Sequence, residues 1–155
     1  MSRVSFYSEW TPRLLSVLRV AVALLFIEHG SQKLLGFPPA QQAASDSLTL
    51  LMWMAGMLEF FGGLLILFGL FTRPVAFLLS GEMGVAYFMA HVPQGFFPLQ
   101  NRGELAALYS FVFLFLAVAG GGAWSLDNLL WWRSGTAPSS ATLPKTKSPE
   151  LTRSG

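Results

Sequence analysis

The chain has 155 residues, of which 53% are hydrophobic and only 12% charged, with a formal net charge of +2 and a mean hydropathy of +0.52. A soluble domain carries about 25% charged residues, so this chain has too few to coat a soluble globule, and its apolar residues fall in long blocks that make lipid the expected solvent. The absence of Cys excludes disulfides, thiol redox chemistry and thiolate metal sites, and no basic stripe suits a nucleic-acid partner.

Four apolar segments follow one another. The first runs from near Leu14 to Ile27 and can continue through Leu34 and Leu35; the second runs from near Leu48 to Phe71. The third follows Pro74 and reaches His91, and the fourth runs from Leu105 to Ala119. A spanning helix takes about 17–25 residues. Only the second segment meets that outright; the others need polar residues at their ends. Arg19 inside the first run, and the lack of a small-residue cleavage pattern after it, argue against a cleaved signal peptide. Thr72-Arg73-Pro74 reads as a tight turn, which makes the second and third helices antiparallel neighbours. After the fourth segment, Gly120, Gly121 and Gly122 end the helix, and Ser125 is a plausible N-cap for a short amphipathic helix carrying Leu126, Leu129, Leu130, Trp131 and Trp132. Trp beside Arg133 suits the headgroup level.

The expected fold is therefore all-α: an integral-membrane bundle of four transmembrane helices with a short interfacial helix after the fourth span. Residues 1–12 form a cytoplasmic N-terminal segment, 13–133 the membrane domain, and 134–155, rich in Ser, Thr, Pro and Lys, a disordered cytoplasmic tail. Orientation follows from Arg3, Arg13, Arg73, Arg133, Lys145, Lys147 and Arg153 on one side against Lys33 and Arg102 on the other. The positive-inside rule places both termini in the cytoplasm.

Ionisable residues inside apolar segments carry the most information, because lipid is a poor solvent for charge. The stretch FIEHGSQKLLGF sets Glu28, His29 and Lys33 at the end of the first segment, with His29 and Lys33 four residues apart on one face. Glu59 sits near the middle of the second segment on the same side as Gly56, Gly62 and Gly63. An acid framed by small residues should face protein. Arg19, Glu59 and Glu82 fall at neighbouring depths by helix rise and suggest an internal ion-pair cluster. A second, outer group comprises Glu28, His29, Lys33, His91, Asn101 and Glu104. Each has a plain structural reading. The Arg–Glu pairs could only fix packing, Lys33 could snorkel to the interface, and each His could cap a helix end. Glu104 at the start of the fourth helix suits the helix dipole. His29 and His91 as haem ligands, or with Glu28 or Glu104 as metal ligands, are disfavoured, since nothing in their spacing demands either. A small-molecule pocket between helices needs fewer assumptions, with Phe96, Phe97 and Tyr87 as wall and His29, Lys33, His91 and Glu104 as polar contacts. Catalytic candidates are His29, Glu28 and His91.

These pieces, in order, resemble the DoxX family of small membrane proteins: Arg19; FIEHGSQKLLGF; LEFFGGLLILFGLFTRP with Glu59, Gly62, Gly63, Gly69, Thr72 and Arg73; AHVPQGFF with His91; GELAALY with Glu104; and GGGAWSLD with Ser125 and Asp127. They span roughly residues 14–130 and are specific as an ordered set. The resemblance implies redox work at the membrane, with quinone as partner. Relatives look like the membrane subunit of a thiosulfate:quinone oxidoreductase; others are linked with quinone or catechol stress, or with a membrane complex joining superoxide dismutase and a sulfurtransferase. No flavin or nicotinamide fingerprint is present, so electrons would come through quinone, a bound cofactor or a partner. Three functional expectations follow: a quinone-associated redox subunit, with Lys33 binding and His29 or Glu28 moving protons; a non-catalytic membrane anchor for a soluble redox enzyme or second membrane subunit; and a small-solute or proton transporter, which at four spans would need to form a homo-oligomer.

Overall fold

The structure, a computed structural model, describes residues 3–39 and 50–133. The expected disordered tail, and the side chains of Trp131 and Trp132, lie outside what it describes. Among the described residues the secondary structure is entirely helical. Helix α1 spans Arg3–Leu35, α2 Leu50–Phe68, α3 Thr72–Gln94, α4 Glu104–Ala119 and α5 Leu126–Arg133. A single helical turn, Pro98–Asn101, precedes α4.

Three of these helices, α1, α2 and α3, are long and apolar enough to cross a membrane. Helix α4 has 16 residues, about 24 Å at 1.5 Å per residue, which is short of the roughly 30 Å hydrocarbon layer. The outward faces are apolar, with Phe77 68% and Phe111 71% exposed. Surfaces of that kind belong against lipid rather than water. Helix α1 runs unbroken through Pro12.

Helix α1 packs on α2 and α3 packs on α4. The two pairs meet at a core of Val22, Ala23, Phe26, Ile66, Leu79, Met83, Tyr109, Phe113 and Leu116. Lipid tails offer little hydrophobic drive between helices, so association depends on close packing. The backbones of α1 and α2 approach so closely at Gly30 that a Cβ there would collide with the Phe60 backbone. On α2, Gly63 packs on Ile27 of α1 and Gly62 on Leu79 of α3, as expected for glycines framing a protein-facing acid. The α3–α4 pair is stapled by Ser80 and Ser110, each hydroxyl donating to the other's carbonyl at 2.8 and 3.0 Å.

Among the described residues two segments are π-helical, Leu58–Gly62 in α2 and Tyr87–His91 in α3. Such wide turns recur at functional positions because they re-aim a side chain within a continuous helix. The first carries Glu59 and the second His91.

Candidate functional site

The polar residues along α1 separate into two groups, one at Arg19 near its middle and one at Lys33 near its C-terminal end. In the first, Arg19 is 1% exposed. Its Nε donates to the Gly121 carbonyl at 2.9 Å, Nη2 to Trp124 at 2.7 Å, and Nη1 to Leu67 at 2.5 Å and also to Ile66. Ile66 and Leu67 close α2, where carbonyls lose their intrahelical partners, so the guanidinium caps α2 and ties it to the glycine loop after α4. The predicted cluster of Arg19 with Glu59 and Glu82 is corrected here. Glu59 lies seven residues before Ile66, about 10 Å deeper along α2, and Arg19 meets four carbonyls before it could meet a carboxylate.

The same region is fastened by α5. Ser125 is the N-cap of α5, accepting from the Asn128 amide at 3.2 Å. Asp127 accepts from the Phe71 and Thr72 amides at 2.7 and 2.8 Å. Its carboxylate therefore caps α3 and holds Phe71 at φ 49°, a left-handed conformation that a bulky residue adopts only when its surroundings impose it. Trp124 donates its amide to Ser16 Oγ at 3.0 Å, and Ala123 donates to the Pro12 carbonyl at 3.0 Å. With Asp127 and Asn128 turned to the protein, Leu126, Leu129 and Leu130 of α5 face outward. Two surface cavities open here, of about 560 Å³ between α1 and α4 and about 490 Å³ beside Arg73 and the glycine loop.

In the second group, Lys33 Nζ is 2.5 Å from Glu59 Oε1, with the lysine side chain 27% and the glutamate 3% exposed. Lys33 reaches inward along Gly56, whose missing side chain leaves room for the lysine stem, instead of snorkelling outward. Three carboxyl oxygens nearby are buried without a hydrogen-bond partner: Oε2 of Glu59 and both oxygens of Glu82. Glu82 is close enough to feel the charges of both Glu59 and Lys33. Tyr109, 7% exposed, feels Glu28 and Glu59, and its ring lies 6.0 Å from that of His29. Lys33, Glu59, Glu82, Tyr109 and His29 thus form one polar centre to which α1, α2, α3 and α4 all contribute.

The predicted outer group divides. His29 and Lys33 join the centre, and Glu28 stays exposed on its edge. His91 belongs elsewhere. Its Nδ1 lies 3.0 Å from the Asn101 carbonyl and its ring stacks on Tyr87 at 6.3 Å. Asn101 in turn donates to the Gly95 carbonyl at 2.6 Å and accepts from the Gly103 amide at 2.8 Å. These bonds satisfy the turn between α3 and α4. Glu104 is exposed in the first turn of α4, and Phe96 and Phe97 are 67% and 62% exposed. The expected pocket lined by His29, Lys33, His91 and Glu104 with Phe96 and Phe97 as wall is therefore not assembled. Tyr109 escaped the sequence reading. Its signal was a lone Tyr-Ser step inside the apolar run LAALYSFVF.

Among the described residues, no group of three or more His, Asp or Glu is placed to hold a metal ion.

An all-helical protein with lipid-facing spans, a backbone-locked end and a buried polar centre is a small multi-span membrane protein. The DoxX family model matches residues 14–92, from the start of the first apolar segment to the end of the π-turn of α3. An uncharacterized protein of Haemophilus influenzae is 44% identical over 124 residues, covering 77% of this chain and 92% of that one. The inner membrane protein YqjF of Escherichia coli is 36% identical over 118 residues, covering 74% and 89%. No solved structure matches. The chain belongs to the DoxX family.

Proposed function

We propose that this protein is a quinone-associated redox subunit of the bacterial inner membrane, binding a quinone headgroup at the Lys33–Glu59–Glu82 centre. A partner, either a soluble redox enzyme or a second membrane subunit, supplies the electrons. The observation that carries this reading is the set of three buried carboxyl oxygens without partners beside a charged lysine. A polar atom buried in an apolar medium costs several kcal/mol unless something meets it. Tyr109 and His29, whose rings meet edge to face at 6.0 Å, supply aromatic neighbours for a quinone headgroup.

The residues then divide the work. Lys33 donates to a quinone oxygen, and Glu82 or His29 moves the protons that accompany two-electron reduction. The location rests on the named E. coli relative, and the distribution of basic residues favours cytoplasmic termini. Helix α4 serves as the fourth span, with the bilayer thinning locally to match its length.

The test is to purify the protein in native-lipid discs, extract and quantify its quinone, and titrate the emptied protein with a short-chain quinone. Wild type should bind saturably. His29→Ala and Lys33→Met, shown to be folded by thermal unfolding, should bind about ten-fold or more weakly, the loss expected of one hydrogen bond to a charged group. Equal binding by all three would refute the site. Absence of binding by wild type would refute the quinone role and leave the membrane-anchor reading in place.

A further inference from the structure

We infer that Glu82 is held as the neutral carboxylic acid while Lys33 and Glu59 remain an ion pair, so that the centre stores one exchangeable proton on Glu82. The inference starts from geometry. Both Glu82 oxygens are buried, and neither has a hydrogen-bond partner among the described residues. Glu59 differs: one of its oxygens is bound by the Lys33 ammonium at 2.5 Å. Two carboxylates and one ammonium in lipid would leave a net negative charge with no donor to hold it. Burial of an ionised carboxylate without a partner is so costly that the group neutralises instead.

The groups facing Glu82 support this assignment. From α1 comes Lys33, already engaged by Glu59; from α2 comes Glu59, a second carboxyl group. On α4, Tyr109 packs its ring against those of His29 and Phe113, and Ser110 is occupied with Ser80. With Glu82 neutral, the three-residue centre carries no net charge, the state a bilayer interior favours.

Glu82 is then the proton donor of the centre. That role rests on the quinone reading above; the stored proton does not. Delivery breaks the Glu82 O–H bond, forms the O–H bond at a quinone oxygen and leaves a carboxylate that the nearby Lys33 charge stabilises. The partner redox enzyme supplies two electrons, and water at the exposed Glu28 side supplies the second proton and reprotonates Glu82.

The experiment is infrared spectroscopy of the quinone-free protein in lipid discs at neutral pH, reading the carbonyl stretch of a protonated carboxylic acid. Wild type should show this band. Glu82→Gln should lose it, Glu82→Asp should shift it, and Glu59→Asp should leave it in place. A wild-type spectrum without the band overturns the assignment, as does a band that shifts in Glu59→Asp and not in Glu82→Asp. The aspartate pair keeps the test decisive if Glu82→Gln does not fold. The band is read without quinone. A protein that shows it and binds no quinone therefore refutes only the quinone reading, and one that binds quinone without the band refutes only the stored proton.

Discussion

Replacing Arg19 by Met should destabilise the fold by about 1–3 kcal/mol, the cost of one stranded buried acceptor. The count comes from the structure. Arg19 donates to four carbonyls: that of Ile66 keeps the Gly69 amide at 3.0 Å, those of Leu67 and Trp124 are partly open and can turn to water, and that of Gly121 is buried. Met matches the length and apolar stem of Arg, so the loss reports the donors rather than a cavity. Arg19→Lys keeps the charge but not the planar fork and should recover only part of the loss. The assay is reversible unfolding in mixed micelles followed by tryptophan fluorescence. Crossing Arg19→Met with Glu59→Gln separates this account from the ion pair that the sequence suggested. If Arg19 serves backbone carbonyls, the two losses should add within about 0.5 kcal/mol. An Arg19→Met protein within about 1 kcal/mol of wild type, or a strong coupling to Glu59, would refute the reasoning.

Lys33→Met should cost about 3–5 kcal/mol, because it leaves Glu59 buried without its counter-ion. The double change Lys33→Met with Glu59→Met should restore most of that stability in the same assay while abolishing quinone binding; a double variant no more stable than Lys33→Met would argue against the pair. Asp127→Ala removes the cap of α3 and the support of the left-handed Phe71, and should cost about 1–2 kcal/mol, read as faster amide exchange at Phe71 and Thr72. Unchanged exchange there would show that the cap contributes nothing.

How much of this was legible depended on whether the relevant pattern was local. The apolar blocks gave the helices, because lipid leaves a spanning backbone no other regular choice. The Ser125 cap lies within a few residues of the group it serves and is found as expected, whereas Thr72, Arg73 and Pro74, expected as the tight turn, open α3 and the turn falls at residues 69–71. The glycines around Glu59 marked a protein-facing side of α2, since a close helix approach leaves a periodic trace. The partner of Arg19 left no such trace. Sequence reasoning matches opposite charges, and the four acceptors were backbone carbonyls that every residue carries. Asp127 capping α3 across 55 residues, and Tyr109 meeting His29, are consequences of packing that no spacing within one segment encodes.

The two ends of the protein treat polarity in opposite ways, and the contrast locates the work. At the Arg19 end the sequence supplies a donor or acceptor for nearly every buried group: Arg19 for four carbonyls, Asp127 for two amides, Ser16 for Trp124. The Thr72 hydroxyl is the exception. Such an end adds stability and fixes the order of the helices. At the Lys33 end three carboxyl oxygens stay unmet in a region where each costs free energy. Selection for stability alone would replace Glu82 with an apolar residue of similar volume, because removing both partners of a buried polar contact is close to neutral, whereas keeping one is not. Glu82 persists at a cost that only a proton or a ligand offsets, which makes it the residue whose chemistry most needs to be measured.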